Sequence, residues 1–314
     1  MRALLVVNPA ATTTSARTRE VLASALEAEL KLEVAHTRSR GHATDLAAEA
    51  RRDGLDLVVV LGGDGTVNEV VNGLLADGPH PDVPALAVVP GGGTNVFHRA
   101  LGLPRDPVEA TGAVLDALRE QRRRSIGLGI AGERWFTFNA GMGWDAEVVA
   151  RVDRRRLARA TSRHTRPGDY VRAALEQFFL HTDRQHPALT LQVGDREPLE
   201  GLHLAIVANT APWTFLGDRP LATSPEASFD SDLDLYALTR LRTVGTLAEV
   251  RRLLHGTSTP DRRGPRTLVH RDHDLPGLTL RASRPVAAQV DGEALGELDQ
   301  LAFRSVPDAL NVVV

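Results

Sequence analysis

Residues 57–69 read Leu-Val-Val-Val-Leu-Gly-Gly-Asp-Gly-Thr-Val-Asn-Glu. Five apolar residues in a row, ended by glycines, predict a fully buried strand of the kind found in parallel sheets. The apolar spacing from Val67 to Leu75 predicts a helix directly after it. Glycines let the backbone approach a ligand closely, and the first amide groups of a helix attract negative charge. The stretch therefore predicts a phosphate site where a buried strand ends.

The flanking segments extend this strand into a sheet. Short apolar runs alternate with helical spacing in the first third of the chain, with strands predicted at 4–7, 32–35 and 85–89 and helices at 18–30, 43–52 and 108–118. This alternation predicts an α/β fold, a parallel sheet with helices on both faces. A second glycine turn, Pro90 to Asn95, follows the strand at 85–89. Two such turns at the carboxyl ends of parallel strands can face one crevice.

The pattern changes from about Ser125 onward. Short strands separated by Gly, Pro and Asp predict a C-terminal, mostly antiparallel β-sandwich domain. Helices are predicted at 144–159 and 169–180, and a loop rich in Thr, Pro, Arg and Gly at 257–265. We therefore expect an α/β domain at 1–124, a β-sandwich domain at 125–300, and a C-terminal segment at 301–314 that is free to return to the first domain.

Composition excludes several classes of site. The 314 residues carry a net charge of −3, so no overall positive field indicates a nucleic-acid partner. Cysteine is absent, which excludes disulfides, thiolate metal sites and a cysteine nucleophile, and agrees with a cytoplasmic protein. Lys31 is the only lysine, so a P-loop lysine is not expected. The apolar run after Met1 is too short for a signal peptide, and no run of about 20 apolar residues predicts a membrane span.

Carboxylates stand at both ends of the chain in positions suited to phosphate chemistry. Asp64 lies inside the first glycine turn, where its charge near phosphates makes sense if Mg²⁺ lies between them. Thr66 and Glu69 have the spacing of a helix cap and its capping-box partner. Asp291 and Glu293 stand two apart and share one face of a strand end. Phosphoryl transfer to an alcohol needs a carboxylate that accepts the hydroxyl proton, and this pair fits that role.

These motifs together resemble a known family. The combination of Asn8-Pro9, Gly62–Glu69, and Gly93–Asn95 with Leu101–Pro104 resembles the catalytic domain of diacylglycerol kinases, which is related to bacterial soluble lipid kinases and sphingosine kinases. The resemblance continues through Asn139–Ala146 and ends at Val290–Glu293, so it spans nearly the whole chain. It implies a nucleotide-binding α/β domain, a lipid-substrate β-sandwich domain, and ATP in the cleft between them.

The resemblance also implies roles for single residues. Glu293 is expected to be the proton acceptor, with Asp291 and Asp145 in the same catalytic network, and Asp64 and Asp291 as Mg²⁺ ligands. The candidate nucleotide contacts from the motifs and the resemblance are Asn8, Thr37, Gly62, Gly63, Asp64, Gly65, Thr66, Asn68, Glu69, Gly93, Thr94 and Asn95. Some relatives hold a structural Mg²⁺ through an aspartate at a position that is Ser231 here, so that second metal is not predicted.

The expected activity is ATP-dependent phosphorylation of a membrane lipid, diacylglycerol to phosphatidic acid first of all. The expected setting is peripheral, at the inner membrane face, and the arginine-rich stretch Arg151–Arg166 is either a headgroup-binding or a solvated face. A homodimer is left open. The alternatives are another lipid alcohol, an NAD kinase, which shares the Gly-Gly-Asp-Gly-Thr turn, and a non-catalytic relative that senses lipid or nucleotide.

Overall fold

The structure is a computed structural model that describes residues 1–11, 14–158, 176–177, 182–241, 243–255 and 268–314. The chain forms two compact units: Met1–Leu128 with Pro307–Val314, and Gly129–Val306. The boundaries lie a few residues beyond the expected 124 and 300, because strands β5 (Arg123–Ala131) and β16 (Glu293–Val313) run through those positions. The helix expected at 169–180 and the loop expected at 257–265 lie outside the described residues, except for 176–177.

The first unit is built on four parallel strands in the order β4-β3-β1-β2. Their bounds are β1 Arg2–Val7, β2 Lys31–His36, β3 Leu57–Gly62 and β4 Ala85–Pro90. Every residue of β3 and β4 is buried, as the continuous apolar runs predicted. The last residues of the chain belong to this unit, where Val312 pairs with Leu86 in parallel.

Five helices accompany this sheet: α1 Ala16–Glu27, α2 His42–Arg52, α3 Asp64–Leu74, α4 Val96–Ala100 and α5 Pro107–Arg119. Helices α1 and α5 bury Leu22, Leu26 and Val114 with alternate residues of the strands in one core. Helices α2 and α3 pack against each other closely, since a Cβ on Gly73 would lie 2.2 Å from the Thr44 carbonyl oxygen. The predicted α/β class is confirmed.

The second unit contains the antiparallel strands in the order β14-β13-β10-β7-β15-β16. The bounds of its remaining strands are β6 Arg134–Phe136, β7 Asn139–Gly143, β8 Leu189–Gln192, β9 Leu199–Leu202, β10 Leu204–Ala208, β11 Thr214–Leu216, β12 Arg219–Leu221, β13 Leu233–Leu238, β14 Val269–Leu275 and β15 Gly277–Val290. The mostly antiparallel prediction is confirmed. Strand β15 pairs with β8 through residues 279–282 and with β7 through 288–290, with a register shift between them.

The second unit carries helices α6 Trp144–Ala158 and α7 Thr243–His255. Helix α7 is held to the strands by a hydrogen bond from the Tyr236 hydroxyl on β13 to Glu249 Oε1, at 3.3 Å. Across the described ranges, none of the helices is long and apolar enough to cross a membrane.

Candidate active site

The first glycine turn connects β3 to α3 as predicted. Gly63 is the N-cap of α3 in an extended conformation, and Asp64 is the first helical residue. The Asp64 carboxylate reaches beyond its own helix: its Oδ1 accepts a hydrogen bond from the backbone N–H of Phe97 on α4, at 3.1 Å. Asp64 therefore ties the first glycine turn to the helix that follows the second one.

The two glycine turns touch through their backbones. The N–H of Gly91 donates to the carbonyl of Gly62 at 2.7 Å. A Cβ on Gly92 would lie 2.7 Å from the Cα of Gly63, and a Cβ on Gly91 would lie 3.0 Å from the Cα of Gly62. Contacts this short leave no room for a side chain, so glycine is required here for close approach. The two turns that the sequence predicted to face one crevice are in direct backbone contact.

Asn95 holds the second turn in shape. Its Oδ1 accepts from the Gly92 N–H at 2.9 Å, and its Nδ2 donates to the Gly92 carbonyl at 2.7 Å. Its backbone has φ 48° and ψ 53°, the left-handed region that asparagine tolerates better than most residues. Gly93 between them is exposed, and a Cβ added to it would have no heavy atom within 4 Å. Thr94 beside it is half-buried.

The ends of the other parallel strands lie at the same edge of the sheet. Asn8, after β1, donates from its backbone N–H to Leu61 at 3.1 Å and from Nδ2 to Thr66 Oγ1 at 2.8 Å. Thr37, after β2, donates from its backbone to the carbonyl of Val7 at 2.9 Å. The predicted nucleotide contacts of the first unit are thus gathered at the carboxyl ends of its strands, which is where open α/β sheets bind ligands.

The predicted capping box was wrong. Because α3 begins at Asp64, Thr66 lies inside the helix. Glu69 instead reaches the start of α2, where Oε1 accepts from the Gly41 N–H at 2.9 Å and Oε2 accepts from the Ala43 N–H at 3.2 Å. The N-cap of α2 is a glycine without a side chain, so Glu69 supplies the acceptors that this helix start needs. Asn68, next to it, is fully buried.

In the second unit, Asp291 is an anchor for a turn of the backbone. Its Oδ2 accepts from the N–H and the hydroxyl of Thr137, both at 2.8 Å. Its Oδ1 accepts from the N–H groups of Phe138 and Asn139, at 3.0 and 3.2 Å. Burial raises the pKa of Asp291, and these four hydrogen bonds oppose that rise. Four donors match the four lone-pair sites of a carboxylate, so this geometry does not support the predicted metal-ligand role.

Glu293 is placed differently from Asp291. Its Oε2 lies 2.6 Å from Nη2 of Arg134 on β6, and both side chains are partly exposed. The chain turns between Asp291 and Glu293, because Asp291 and Gly292 both have left-handed backbone conformations, with φ 46° and 76°. The pair that two-residue spacing predicted to act together is divided: one carboxylate is held by the backbone, and the other by an arginine near solvent.

Asp145 begins a buried polar network beside that turn. Gln289 donates from Nε2 to Asp145 Oδ2 at 3.1 Å and to Asn139 Oδ1 at 2.8 Å. The Oε1 of Gln289 accepts from the Gly292 N–H at 2.9 Å. Asp145 retains some solvent contact, yet its surroundings offer few polar partners, and burial raises its pKa to about 7 against the opposing hydrogen bond from Gln289. Gln289 thus links Asp145 to the Asp-Gly-Glu turn, and the catalytic role of Asp145 stays a prediction.

Sequence reasoning missed Arg134 and Gln289, which orient two of the predicted acids. Arg134 lies 159 positions from Glu293, and Gln289 lies 144 positions from Asp145. At such separations no local motif or periodic pattern links a side chain to its partner, so the sequence carried no signal that could have found them.

Of the two predicted metal ligands, Asp64 belongs to the first unit and Asp291 to the second, so their joint role stays a prediction. No group of three His, Cys, Asp or Glu side chains with metal-binding geometry occurs within the described ranges. At the position of the doubtful second metal, the Ser231 hydroxyl donates to the Ser228 carbonyl at 3.1 Å.

The arginine-rich stretch is only partly described. Arg151 donates from Nε and Nη2 to Gln177 Oε1, at 2.9 and 2.8 Å, and the same amide donates to Glu147 Oε2 at 2.7 Å. Arg151 thus has an internal partner, whereas Arg154 is exposed. The residues from 159 to 166 lie outside the described part, so the docking prediction for Arg151–Arg166 stays a prediction.

The chain is similar to known lipid kinases in sequence. The family model described as diacylglycerol kinase catalytic domain matches residues 2–129. A diacylglycerol kinase of Bacillus subtilis is 40% identical over 114 residues, which are 36% of this chain and 35% of that protein. A probable YegS-like lipid kinase of Chromohalobacter salexigens is 37% identical over 131 residues, 42% of this chain and 40% of that protein. The aligned part spans well under half of these relatives.

Solved structures share the fold over nearly the whole chain. A putative diacylglycerol kinase from Bacillus anthracis superposes with a TM-score of 0.75 at 20% identity, covering 99% of this chain and 96% of that one. An NAD kinase from Archaeoglobus fulgidus, solved with ATP, superposes with a TM-score of 0.54 at 11% identity, covering 100% and 94%. At these identities the likeness shows the fold alone. The sequence match is to the diacylglycerol kinase catalytic domain and covers residues 2–129, the part of the chain that holds both glycine turns.

Proposed function

We propose that this protein is an ATP-dependent lipid kinase that phosphorylates the primary hydroxyl of a membrane lipid, with diacylglycerol as the first acceptor to test. The observation that carries the proposal is the backbone contact between the two glycine turns, where Gly91 N–H meets the Gly62 carbonyl at 2.7 Å. The contact lies within the segment that matches the kinase family. A side-chain-free surface at a helix start suits phosphate binding.

The donor side of the reaction falls to the first unit. Backbone N–H groups at the start of α3 would bind the phosphates, and Asn95 keeps the second turn in position beside them. Mg²⁺ in kinases takes one or two carboxylates together with phosphate oxygens and water. The single carboxylate of Asp64 would therefore be enough as its protein ligand. When bound, the metal would neutralise charge on the phosphates. Asp64 also joins the two turns through Phe97, so this residue combines a structural and a binding role.

The acceptor side falls to the second unit. Glu293 is proposed as the carboxylate that accepts the proton of the lipid hydroxyl, and Arg134 holds that carboxylate in one orientation through its 2.6 Å contact. Asp291 and Gln289 fix the turn that carries Glu293, because their hydrogen bonds end on Thr137–Asn139 and on the Gly292 N–H. A base held by its surroundings needs less reordering when the hydroxyl arrives.

The test supplies the purified protein with radiolabelled ATP, Mg²⁺ and a panel of acceptors. The panel contains detergent-dispersed diacylglycerol, ceramide, a sphingoid base and phosphatidylglycerol, with NAD as a water-soluble acceptor. Label on a lipid that disappears with excess chelator supports the proposal and names the acceptor. Label on NAD alone would assign an NAD kinase. ATP binding without transfer to any acceptor would assign a non-catalytic relative.

The proposed setting is peripheral, at the cytoplasmic face of the membrane, because the acceptor is a lipid. Activity on diacylglycerol is expected to depend on its presentation in micelles or vesicles. The measurement compares turnover at a constant bulk concentration of diacylglycerol while its mole fraction in the micelle is diluted. Turnover that stays constant as the mole fraction of diacylglycerol falls would contradict a reaction at the lipid surface.

A further inference from the structure

Helix α7 exposes an unusual amount of apolar surface. The part of the chain that the structure describes has eight exposed large apolar side chains, and three of them lie on this one helix. Val244 is 82% exposed and Leu247 is 49% exposed, and Val250 is the third. Positions 244, 247 and 251 follow the i, i+3, i+7 spacing that places side chains along one helix face. The outer face of α7 is therefore a ridge of Val244, Leu247 and Arg251.

The charges on α7 are divided between its two faces. Its one acidic residue, Glu249, is 2% exposed. Glu249 accepts from Tyr236 at 3.3 Å and from Arg271 Nη2 at 3.2 Å, and it pairs with Arg252 at 3.4 Å. The exposed positions of the helix carry arginine and histidine but no acid. The surface that α7 offers to solvent is thus apolar and cationic only.

We propose that the outer face of α7, the ridge of Val244, Leu247 and Arg251, docks on the surface of an anionic lipid bilayer. An amphipathic helix with apolar and basic side chains on its outer face binds in the plane of such a surface. The proposal rests on the proposed function in that a lipid acceptor requires a membrane contact. It names residues other than those of the arginine-rich stretch at 151–166.

Charge selects the bilayer over a second copy of the chain. An isologous dimer sets the same patch of two subunits face to face. A dimer through this ridge would bury Arg251 of both copies, and α7 has no exposed acid to pair with either guanidinium group. An anionic headgroup layer supplies the opposite charge, and its acyl boundary accepts the valine and leucine side chains.

The experiment measures co-sedimentation of the purified protein with vesicles, without ATP or substrate. Binding is compared between vesicles of phosphatidylcholine and vesicles that also contain phosphatidylglycerol, and wild type should prefer the anionic ones. The double variant Val244→Gln/Leu247→Gln should weaken binding to them at least about tenfold, because two apolar side chains lose their burial. Arg251→Gln should weaken it roughly fivefold, on anionic vesicles only.

Val108→Gln is the matched control, because Val108 is 56% exposed on α5 of the other unit. It should bind vesicles as wild type does. The changed side chains are on the surface, and thermal unfolding verifies that each variant is folded. Unchanged vesicle binding in both α7 variants overturns the proposal. So does a variant that leaves vesicle binding intact and instead dissociates a dimer in sedimentation velocity. Because the assay needs no turnover, its outcome is independent of whether the chain phosphorylates a lipid in micelles.

Discussion

Arg134 Nη2 and Glu293 Oε2 lie 2.6 Å apart, although 159 positions of sequence separate the two residues. The strand that carries Arg134 leads directly into Thr137–Asn139, whose backbone is held by Asp291. Arg134 therefore holds Glu293 at one end of the Asp291–Glu293 turn. Asp291 ties the other end of this turn to Thr137–Asn139. One residue, Arg134, orients the candidate base, and another, Asp291, stabilises the turn that carries it. The two effects can therefore be tested by separate variants.

The first prediction concerns the proton acceptor. Glu293→Gln keeps the size of the side chain but cannot accept a proton, so kcat should fall by about 10²–10⁴. ATP affinity should barely change. Asp64→Asn should instead weaken ATP and metal binding together. Steady-state kinetics on the lipid acceptor, with ATP binding by calorimetry, separates the two patterns. A Glu293→Gln enzyme with most of its turnover would move the base elsewhere.

The second prediction concerns Arg134. Arg134→Gln removes the cation that orients Glu293, so kcat should fall roughly tenfold to a hundredfold with little change in the KM for ATP. Arg134→Lys should recover part of the lost turnover, because its ammonium group can replace Nη2 in the contact with Glu293 Oε2. A merely structural role predicts a lower melting temperature with no recovery by lysine. Kinetics and thermal unfolding of both variants distinguish the two roles.

The third prediction assigns Asp291 to stability. Asp291→Asn replaces one acceptor oxygen by an NH₂ group that faces donors, so at least one buried N–H loses its partner. The free energy of unfolding should fall by about 2–4 kcal/mol. Urea unfolding measures it, with Glu293→Gln as the control that should stay within about 1 kcal/mol of wild type. A fully stable Asp291→Asn protein that has lost turnover would restore the direct catalytic role.

The elements that could be read from the sequence are those whose signal is local. Strand β3 and its glycine turn are adjacent in sequence, and five apolar residues leave little choice. The partners of Glu69 were missed because Gly41 and Ala43 lie 28 and 26 positions away, while Thr66 is only three away. The spacing therefore favoured a capping box that the fold does not use.

Helix α7 was missed for a different reason. Its buried face carries Thr246 and Glu249, while Val244 and Leu247 are exposed, which inverts the usual amphipathic pattern. The burial of Glu249 is explained by its contacts with Tyr236 on β13 and Arg271 on β14, which a helical pattern does not reveal. Likewise the four donors to Asp291 come from a turn more than 150 positions earlier. Long-range polar contacts of this kind leave no periodic signal in a single sequence.

The fourth prediction tests the contact between the glycine turns. Gly92→Ala would place a Cβ 2.7 Å from the Gly63 Cα, so the turns must separate. The protein should lose about 1–3 kcal/mol of stability, and ATP affinity should fall with it. Gly93→Ala is the matched control, because a Cβ there has no heavy atom within 4 Å. Its stability should stay within about 0.5 kcal/mol of wild type. Equal stability of the two variants, in urea unfolding, would refute the close packing.

The last prediction uses the pKa of Asp145, which burial raises to about 7. In the unfolded chain an aspartate titrates near ~3.9, so between these values the folded state holds a proton that the unfolded chain releases. Stability therefore falls as pH rises from about 4 to about 7, and the loss stays constant above that. Asp145→Asn has no proton to lose and still offers an acceptor to Gln289. Its melting temperature should exceed that of wild type at pH 8 and match it near pH 4.

The gain at pH 8 should correspond to roughly 1–2 kcal/mol, less than the full pKa change implies, because the carboxyl keeps some contact with solvent. Differential scanning calorimetry across this pH range gives the difference curve directly. If the variant is less stable than wild type by the same amount at every pH, the fold depends on a contact of the Asp145 carboxyl group that asparagine cannot make, and the protonation of Asp145 does not explain the difference. A difference that grows towards acid would mean that the ionised carboxylate is the favoured form. Burial of Asp145 with Gln289 as its partner requires the opposite slope.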